Sequence, residues 1–307
     1  MKLRFAFAIL GVLAAAWTVG YARGSRVGAL ELNACGDSAS IAWEPSTPTQ
    51  GALFRVRVTG APDSVSLSGR AGTEALHLER DAAASVSLAA VPIDGPDSLV
   101  IVVRCASGAD TDSLIARVLT ATGDYPIERL TVAPAFGRPP DSATAARIAR
   151  ESRRAADVAT HAHSTPRLWD SAFLHPRQSR ITSGFGGGRE YNGAITSRHM
   201  GTDFAGATGS PVRATNRGVV RIVDAFFYGG NVVYIDHGAG LSSAYLHLSK
   251  QLVVTGDTVE RGQQIGLVGA TGRVTGPHLH LIVRYGSVTV DPLSLFAIAG
   301  DSSGTTR

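Results

Sequence analysis

The stretch Thr275-Gly276-Pro277-His278-Leu279-His280-Leu281-Ile282-Val283 carries fold and chemistry together. Gly276 and Pro277 mark a turn, and the apolar run after them predicts a strand. Side chains alternate across a strand, so His278 and His280 point to one side while Leu279 and Leu281 point to the other. Two imidazoles on one face of an apolar strand are costly to bury unless something uses them. H-x-H is a common zinc arrangement but not a specific one. The chain holds its own control in His161-Ala162-His163. That pair has the same spacing but sits in a polar, helix-to-loop segment, and it raises no comparable expectation.

Working outward, VRATNRGVVRIVDA (212–225), GNVVYIDHG (230–238) and SSAYLHLSK (242–250) are strand-like runs joined by Gly-rich turns. His247 lies in the last of these. His237, in IDHGAG, reads as a strand-end residue closing a turn. Upstream, SRHMGTDFAG (197–206) places His199 at a loop end and Asp203 entering a strand, because Gly201 argues against a helix between them. Each of these signals is weak alone. Together, His199, Asp203 and one His of the H-x-H pair supply an N,N,O ligand set. Catalytic zinc keeps three protein ligands and a fourth position for water, whose pKa it lowers to about 7. Two histidines then remain to move protons and to stabilise a developing oxyanion.

These motifs resemble the lysostaphin/LytM-type (M23) metallopeptidase family. The resemblance runs in order through SGFGGGREYNGAITSRHMGTDFAG (183–206), GNVVYIDHGAGLSSAYLHLS (230–249), GDTVERGQQIGLVGATGRVTGPHLHLIV (256–283) and VDPLSL (290–295). It implies a LytM-type β-sheet peptidase domain over residues 169–298, holding one Zn2+ per chain. By the same resemblance His199, Asp203 and His280 are the metal ligands, and His247 and His278 the catalytic pair. The implied activity is hydrolysis of the peptide cross-bridges of bacterial peptidoglycan, with a D-alanine to diaminopimelate link as the first expectation and a glycine bridge, in a different wall, as the second. All three ligand positions are present, unlike in relatives that have lost zinc ligands and serve as activators of other hydrolases.

Residues 28–132 read differently. SIAW, LFRVRVTG, SVSLSG, ALHLE, ASVSLAAVPI, SLVIVVRC and SLIARVLTA are short, alternating and separated by Gly, Pro, Asp and Ser. Phe54, Val56 and Val58 should face inward and Arg55, Arg57 and Thr59 outward. Strands at this spacing predict an immunoglobulin-like β-sandwich. Residues 133–168 form a linker, with a helix from Ala143 to Ala159 and Asp141 or Ser142 as its N-cap. The fold class is therefore mainly β, in two domains joined by a helical linker, with residues 299–307 as a flexible tail.

The first 22 residues have the form of an export signal: Lys2 and Arg4, an apolar run from Phe5 to Val19, then Gly20-Tyr21-Ala22 as a small–x–small site. The rival is an uncleaved membrane anchor. Either way the rest lies outside the cytoplasm, in the periplasm or cell envelope. Of 29 basic and 25 acidic residues, removal of this segment takes two basic ones, and 27 minus 25 leaves +2. That charge, without a basic run, gives no reason to expect nucleic acid as a partner. The two cysteines, Cys35 and Cys105, should pair in an oxidising compartment. LNAC before Cys35 faintly resembles a lipoprotein site, but a polar stretch separates it from the apolar run.

Two rival readings compete with hydrolysis. One is an envelope protein that retains zinc but regulates other cell-wall hydrolases, with the β domain or linker docking a partner or occluding the groove. The other is a carrier domain, since GDTVERGQQIGLVG (256–269) resembles a biotinyl or lipoyl hairpin. A carrier needs a Lys at the hairpin tip, usually beside Met, and Met200 is the only Met after the start.

Overall fold

A computed structural model describes residues 20–22, 34–136, 139–193 and 195–299. The expected export signal lies outside the described residues, except for Gly20–Ala22, which pairs with Ser40–Glu44. The expected tail lies outside them from residue 300 onward.

The N-terminal strands form two antiparallel sheets around one core. In chain order the eight strands are A (Ser40–Glu44), B (Leu53–Thr59), C (Ser66–Ala71), C′ (Glu74–Leu76), D (Glu79–Asp81), E (Ala84–Ala90), F (Ser98–Ser107) and G (Asp110–Leu119). One sheet then runs A-B-E-D, with Gly20–Ala22 added beside A, and the other runs C′-C-F-G. Phe54, Val56 and Val58 point inward and meet Ile101 and Val103 of the second sheet, all buried. Cys35 and Cys105 are disulfide-bonded, so neither is free for lipid. Ile127–Leu130 falls inside the stretch read as the sandwich, yet it pairs in parallel with Gly188–Tyr191 of the C-terminal domain. The sandwich thus ends with strand Asp110–Leu119.

The C-terminal domain is built on one large antiparallel sheet, with Gly188–Tyr191 and Ile195–Arg198 in a small separate one. Its central order is Ile181–Ser183, Thr202–Ala205, His278–Tyr285, Leu241–Gln251, Gly230–Gly238, Gly218–Phe226 and Thr258–Val259. Alternation gives the sheet two apolar faces. Phe204, Ile235, Tyr245, Leu248, Leu279 and Leu281 line the back face, where Leu295 and Ile298 of helix α2 (Pro292–Ala299) cover them. Leu53 and Ala90 of the N-terminal domain join the same core.

On the front face, Ile222, Phe226, Val232, Tyr234 and Leu246 receive helix α1 (Ser142–His161) through Val158. The helix begins where the sequence predicts, with the Asp141 carboxylate accepting from the Thr144 amide at 2.8 Å. It is therefore docked on the sheet.

Polar contacts fix the two domains together. His163 bonds Glu74 at 2.9 Å and His77 at 2.8 Å, and the Tyr285 hydroxyl donates to Ala75 O at 2.7 Å. Glu74 is buried and paired on both oxygens, the second by Ser287. A Cβ on Gly286, whose φ is +53°, would strike both Glu74 and His163. One member of the His161–His163 control pair is thus part of the domain interface.

Candidate active site

Asp203, His280 and Leu246 stand opposite one another on three adjacent strands, so their side chains form a row on the front face. Leu279 and Leu281 occupy the back-face core, as strand alternation requires. His199 follows strand Ile195–Arg198, and its amide donates to Gly187 O at 2.7 Å. These elements bring His199, Asp203 and His280 together, all buried. Their ligand atoms form a triangle. Nε2 of His199 lies 3.0 Å from Oδ1 of Asp203 and 3.0 Å from Nδ1 of His280, which lies 2.7 Å from the same Oδ1.

This donor set fits a metal ion on chemical grounds. His199 Nδ1 donates to Gly184 O at 2.6 Å, so in the neutral ring Nε2 carries a lone pair. That lone pair faces a carboxylate oxygen, and two acceptors so close need a cation between them. A tetrahedral site with bonds of about 2.1 Å spaces its ligand atoms about 3.4 Å apart. The triangle's sides of 3.0, 3.0 and 2.7 Å are about 0.4 to 0.7 Å shorter, so the three ligand atoms need to spread only slightly to take the ion.

The ligands are themselves held. Arg189 donates to Oδ2 of Asp203 at 2.8 Å, leaving Oδ1 for the triangle. Glu128 accepts from Arg189 at 3.2 Å and from the Ser183 hydroxyl at 2.9 Å, and Ser183 Oγ lies 3.1 Å from His199 Nδ1. Such outer partners fix the orientation of metal-ligating side chains. Gly201 makes room for the third ligand: a Cβ there would sit 2.6 Å from His280 Nε2 and would overlap the Leu281 carbonyl.

His247 and His278 flank the triangle. The ring centroids of His247 lie 5.0 Å from His278 and 5.8 Å from His280. Each donates Nδ1–H to a backbone carbonyl at 2.8 Å, His247 to Thr271 O and His278 to Gly276 O. Each therefore presents a bare Nε2, and that of His278 lies 3.6 Å from Asp203 Oδ1. The backbone at His247 is left-handed, with φ +64°. It sits where strand Leu241–Gln251 changes partner: Leu246 still pairs with His280, while Leu248 pairs with Val268. The extra residue forms a bulge that turns the imidazole toward the site. A non-glycine residue in this region costs on the order of 1 kcal/mol, which its surroundings must hold in place.

Burial governs the charge states. It pushes His280 down to about 4 and His247 to about 3, the latter helped by neighbouring His280 and His278. Burial works to raise the Asp203 carboxyl, but hydrogen bonds with His199 and His280 outweigh it and hold the group well below the usual range. Asp203 thus rests as a carboxylate beside two imidazoles, His280 and His247, that resist protonation. His237 lies elsewhere, fully buried, with Nδ1 donating to Arg217 O at 2.7 Å and Nε2 at 2.8 Å from Ser243 Oγ. It is a structural residue at a strand end.

Residues 197–292 match the family described as Peptidase family M23. This stretch is an M23 peptidase domain. It resembles peptidoglycan DD-endopeptidase ShyB of Vibrio cholerae, at 46% identity over 117 residues, or 37% of this chain and 27% of that protein. ShyA of the same organism, also named a peptidoglycan DD-endopeptidase, is 52% identical over 110 residues, 34% of this chain and 25% of that one. The matched stretch spans about a quarter of the length of these relatives. A crystal structure of a candidate M23 peptidase from Pseudomonas aeruginosa matches the fold over 82% of this chain and 96% of that one, with a TM-score of 0.65 and 24% identity. The fold likeness therefore extends beyond the M23 domain into the N-terminal half.

All five residues expected from the sequence meet at this one site. Arg189, Glu128, Ser183 and Gly201 were not among the expectations. Arg189 and Ser183 lie inside the quoted motifs, but nothing local marks them, and Glu128 lies outside those motifs; all three precede the stretch matched to the family.

Proposed function

We propose that this protein is a zinc-dependent endopeptidase that hydrolyses peptide cross-links of bacterial peptidoglycan. The observation that carries the reading is the His199–Asp203–His280 triangle with two further imidazoles turned toward it, inside an M23 domain. The relatives' names point to the same polymer. His199 Nε2, Asp203 Oδ1 and His280 Nδ1 would hold the ion. When bound, zinc supplies a Lewis acid that polarises the scissile carbonyl and makes a water acidic near neutral pH. The chain's own groups do the rest. His247 and His278, each pinned through Nδ1, keep Nε2 free to accept the water's proton, to hydrogen-bond the oxyanion once protonated, and to return a proton to the leaving amine. Arg189 holds Asp203 in its ligand orientation through the oxygen that the triangle leaves over.

The same reading places the protein in the cell envelope, where its polymer lies. Among the described residues no helix is long and apolar enough to cross a membrane. The immunoglobulin-like assignment of the N-terminal domain rests on its A-B-E-D and C′-C-F-G strand order. Its disulfide differs from the usual link between strands B and F, since Cys35 precedes strand A.

The function is tested on purified cell walls. Zinc-loaded protein should lower their turbidity, while chelated protein, His247→Ala and His280→Ala should not. Equal clearing by wild type and His280→Ala would sink the reading.

A further inference from the structure

Arg273 occupies the loop that positions both flanking histidines. Two residues before it, Thr271 O takes the His247 Nδ1–H, and three residues after it, Gly276 O takes the His278 Nδ1–H. Its guanidinium carbon sits 4.1 Å from the Tyr191 ring centroid and 4.1 Å from that of Tyr228. Its backbone amide donates to Tyr228 O at 2.9 Å. Tyr191 also neighbours Arg189, which reaches Asp203, so Arg273 is one tyrosine removed from the ligand cluster.

The faces of this guanidinium are spent on the two rings, and its edges are not. Among the described residues no carboxylate or carbonyl accepts from it. The other arginines around the site are consumed: Arg189 by Asp203 and Glu128, and Arg198 by Asp94 at 2.6 Å and Gly186 O at 3.1 Å. A guanidinium stacked between rings is a fixed fork of N–H donors, and its natural complement is a carboxylate bound through two oxygens. Stacking also lowers the entropy lost when that carboxylate binds.

We propose that Arg273 is a specificity-determining residue of this site, reading a free carboxylate on the amino acid that supplies the leaving amine. Hydrolysis adds water across the amide, giving a carboxylate on one fragment and an amine on the other. Arg273 holds the carboxylate already present on the amine fragment. The substrate class is then a peptide whose scissile nitrogen stands on a carbon bearing an unblocked carboxylate. A glycine bridge continued as a chain on both sides lacks that group.

This inference rests on the hydrolase reading, and its test separates the two. Matched cross-linked peptides are prepared with the leaving residue's carboxylate either free or converted to the carboxamide. Wild-type protein, Arg273→Gln and Arg273→Lys are compared by steady-state kinetics. Wild type should favour the free carboxylate by about 10- to 100-fold in kcat/KM, the range expected for hydrogen bonds to a charged group. The difference should lie mainly in KM. Arg273→Gln should cleave both peptides within about twofold of each other, so that the preference collapses whatever its overall rate. Arg273→Lys should retain part of the preference.

Equal cleavage of both peptides by wild type overturns the inference and leaves the hydrolase reading intact. An equal loss on both peptides in Arg273→Gln, with no change in their ratio, makes Arg273 a mere tie between the groove walls. Failure of zinc-loaded wild type on both peptides overturns the hydrolase reading and this inference with it.

Discussion

Gly201→Ala should damage the metal centre without touching a ligand. A Cβ at this position would overlap the carbonyl of Leu281 and lie 2.6 Å from Nε2 and 2.7 Å from Cε1 of His280. The carbonyl cannot move freely, because Thr202 and Leu281 are paired across the sheet. The imidazole is the softer partner, but it is buried and committed to the triangle through Nδ1. Relief therefore displaces His280 by a few tenths of an ångström or more. Overpacking of this kind costs roughly 1–3 kcal/mol of stability. Disturbing the orientation of a ligand costs about 10- to 100-fold in metal affinity.

The control is Gly184→Ala. Its carbonyl accepts from His199, yet a Cβ there meets nothing within 4 Å. Zinc affinity is read by competition with a chromophoric chelator, and stability by thermal melting of the chelated proteins. Gly201→Ala should bind at least tenfold more weakly than wild type, with Gly184→Ala close to wild type. Equal affinities for the two variants would refute the packing argument.

Three further outcomes are expected. Glu128→Ala removes the acceptor shared by Arg189 and Ser183, and should weaken zinc binding by about tenfold with little change in melting temperature. Unchanged affinity would mean that the connector strand does not support the centre. Cys35→Ser with Cys105→Ser opens a loop of 70 residues and should cost about 4 kcal/mol in urea unfolding, by the chain-entropy model. A loss below about 1 kcal/mol would show that the sandwich core alone suffices. Burial holds His237 down at about 4, against 6.5 when free, so the unfolded chain binds a proton that the folded one refuses. Its share of stability is complete above pH 6.5 and lost as pH falls from 6.5 toward 4, by up to about 3 kcal/mol. Unfolding of His237→Gln should depend less steeply on pH in that window, and identical slopes would argue otherwise.

The chemistry-bearing residues were legible because each lies in a short local pattern. H-x-H fixed two side chains to one face of a strand, and the break at Gly201 kept His199 and Asp203 off a helix. The N-cap of α1 was legible for the same reason, since Asp141 acts three residues away on Thr144. What escaped depends on contacts distant in sequence. Glu128 reaches Arg189 across 61 residues, and the parallel pairing of Ile127–Leu130 leaves no periodic trace. His163 looked like a bystander because its partners, Glu74 and His77, belong to the other domain. The bulge at His247 did leave a mark. Tyr245 and Leu248 share the back-face core although three residues apart, which a regular strand forbids.

The central claim is hydrolysis of a cross-link at the His199–Asp203–His280 centre. Its most direct test is mass spectrometry of a defined cross-linked muropeptide dimer incubated with zinc-loaded protein, with metal content measured on the same sample. One zinc per chain, and conversion of the dimer into two monomers whose masses sum to the dimer plus one water, is the predicted result. It should vanish in His280→Ala and after chelation, and return when zinc is restored to wild type. An intact dimer in the presence of protein carrying one zinc per chain would contradict the account.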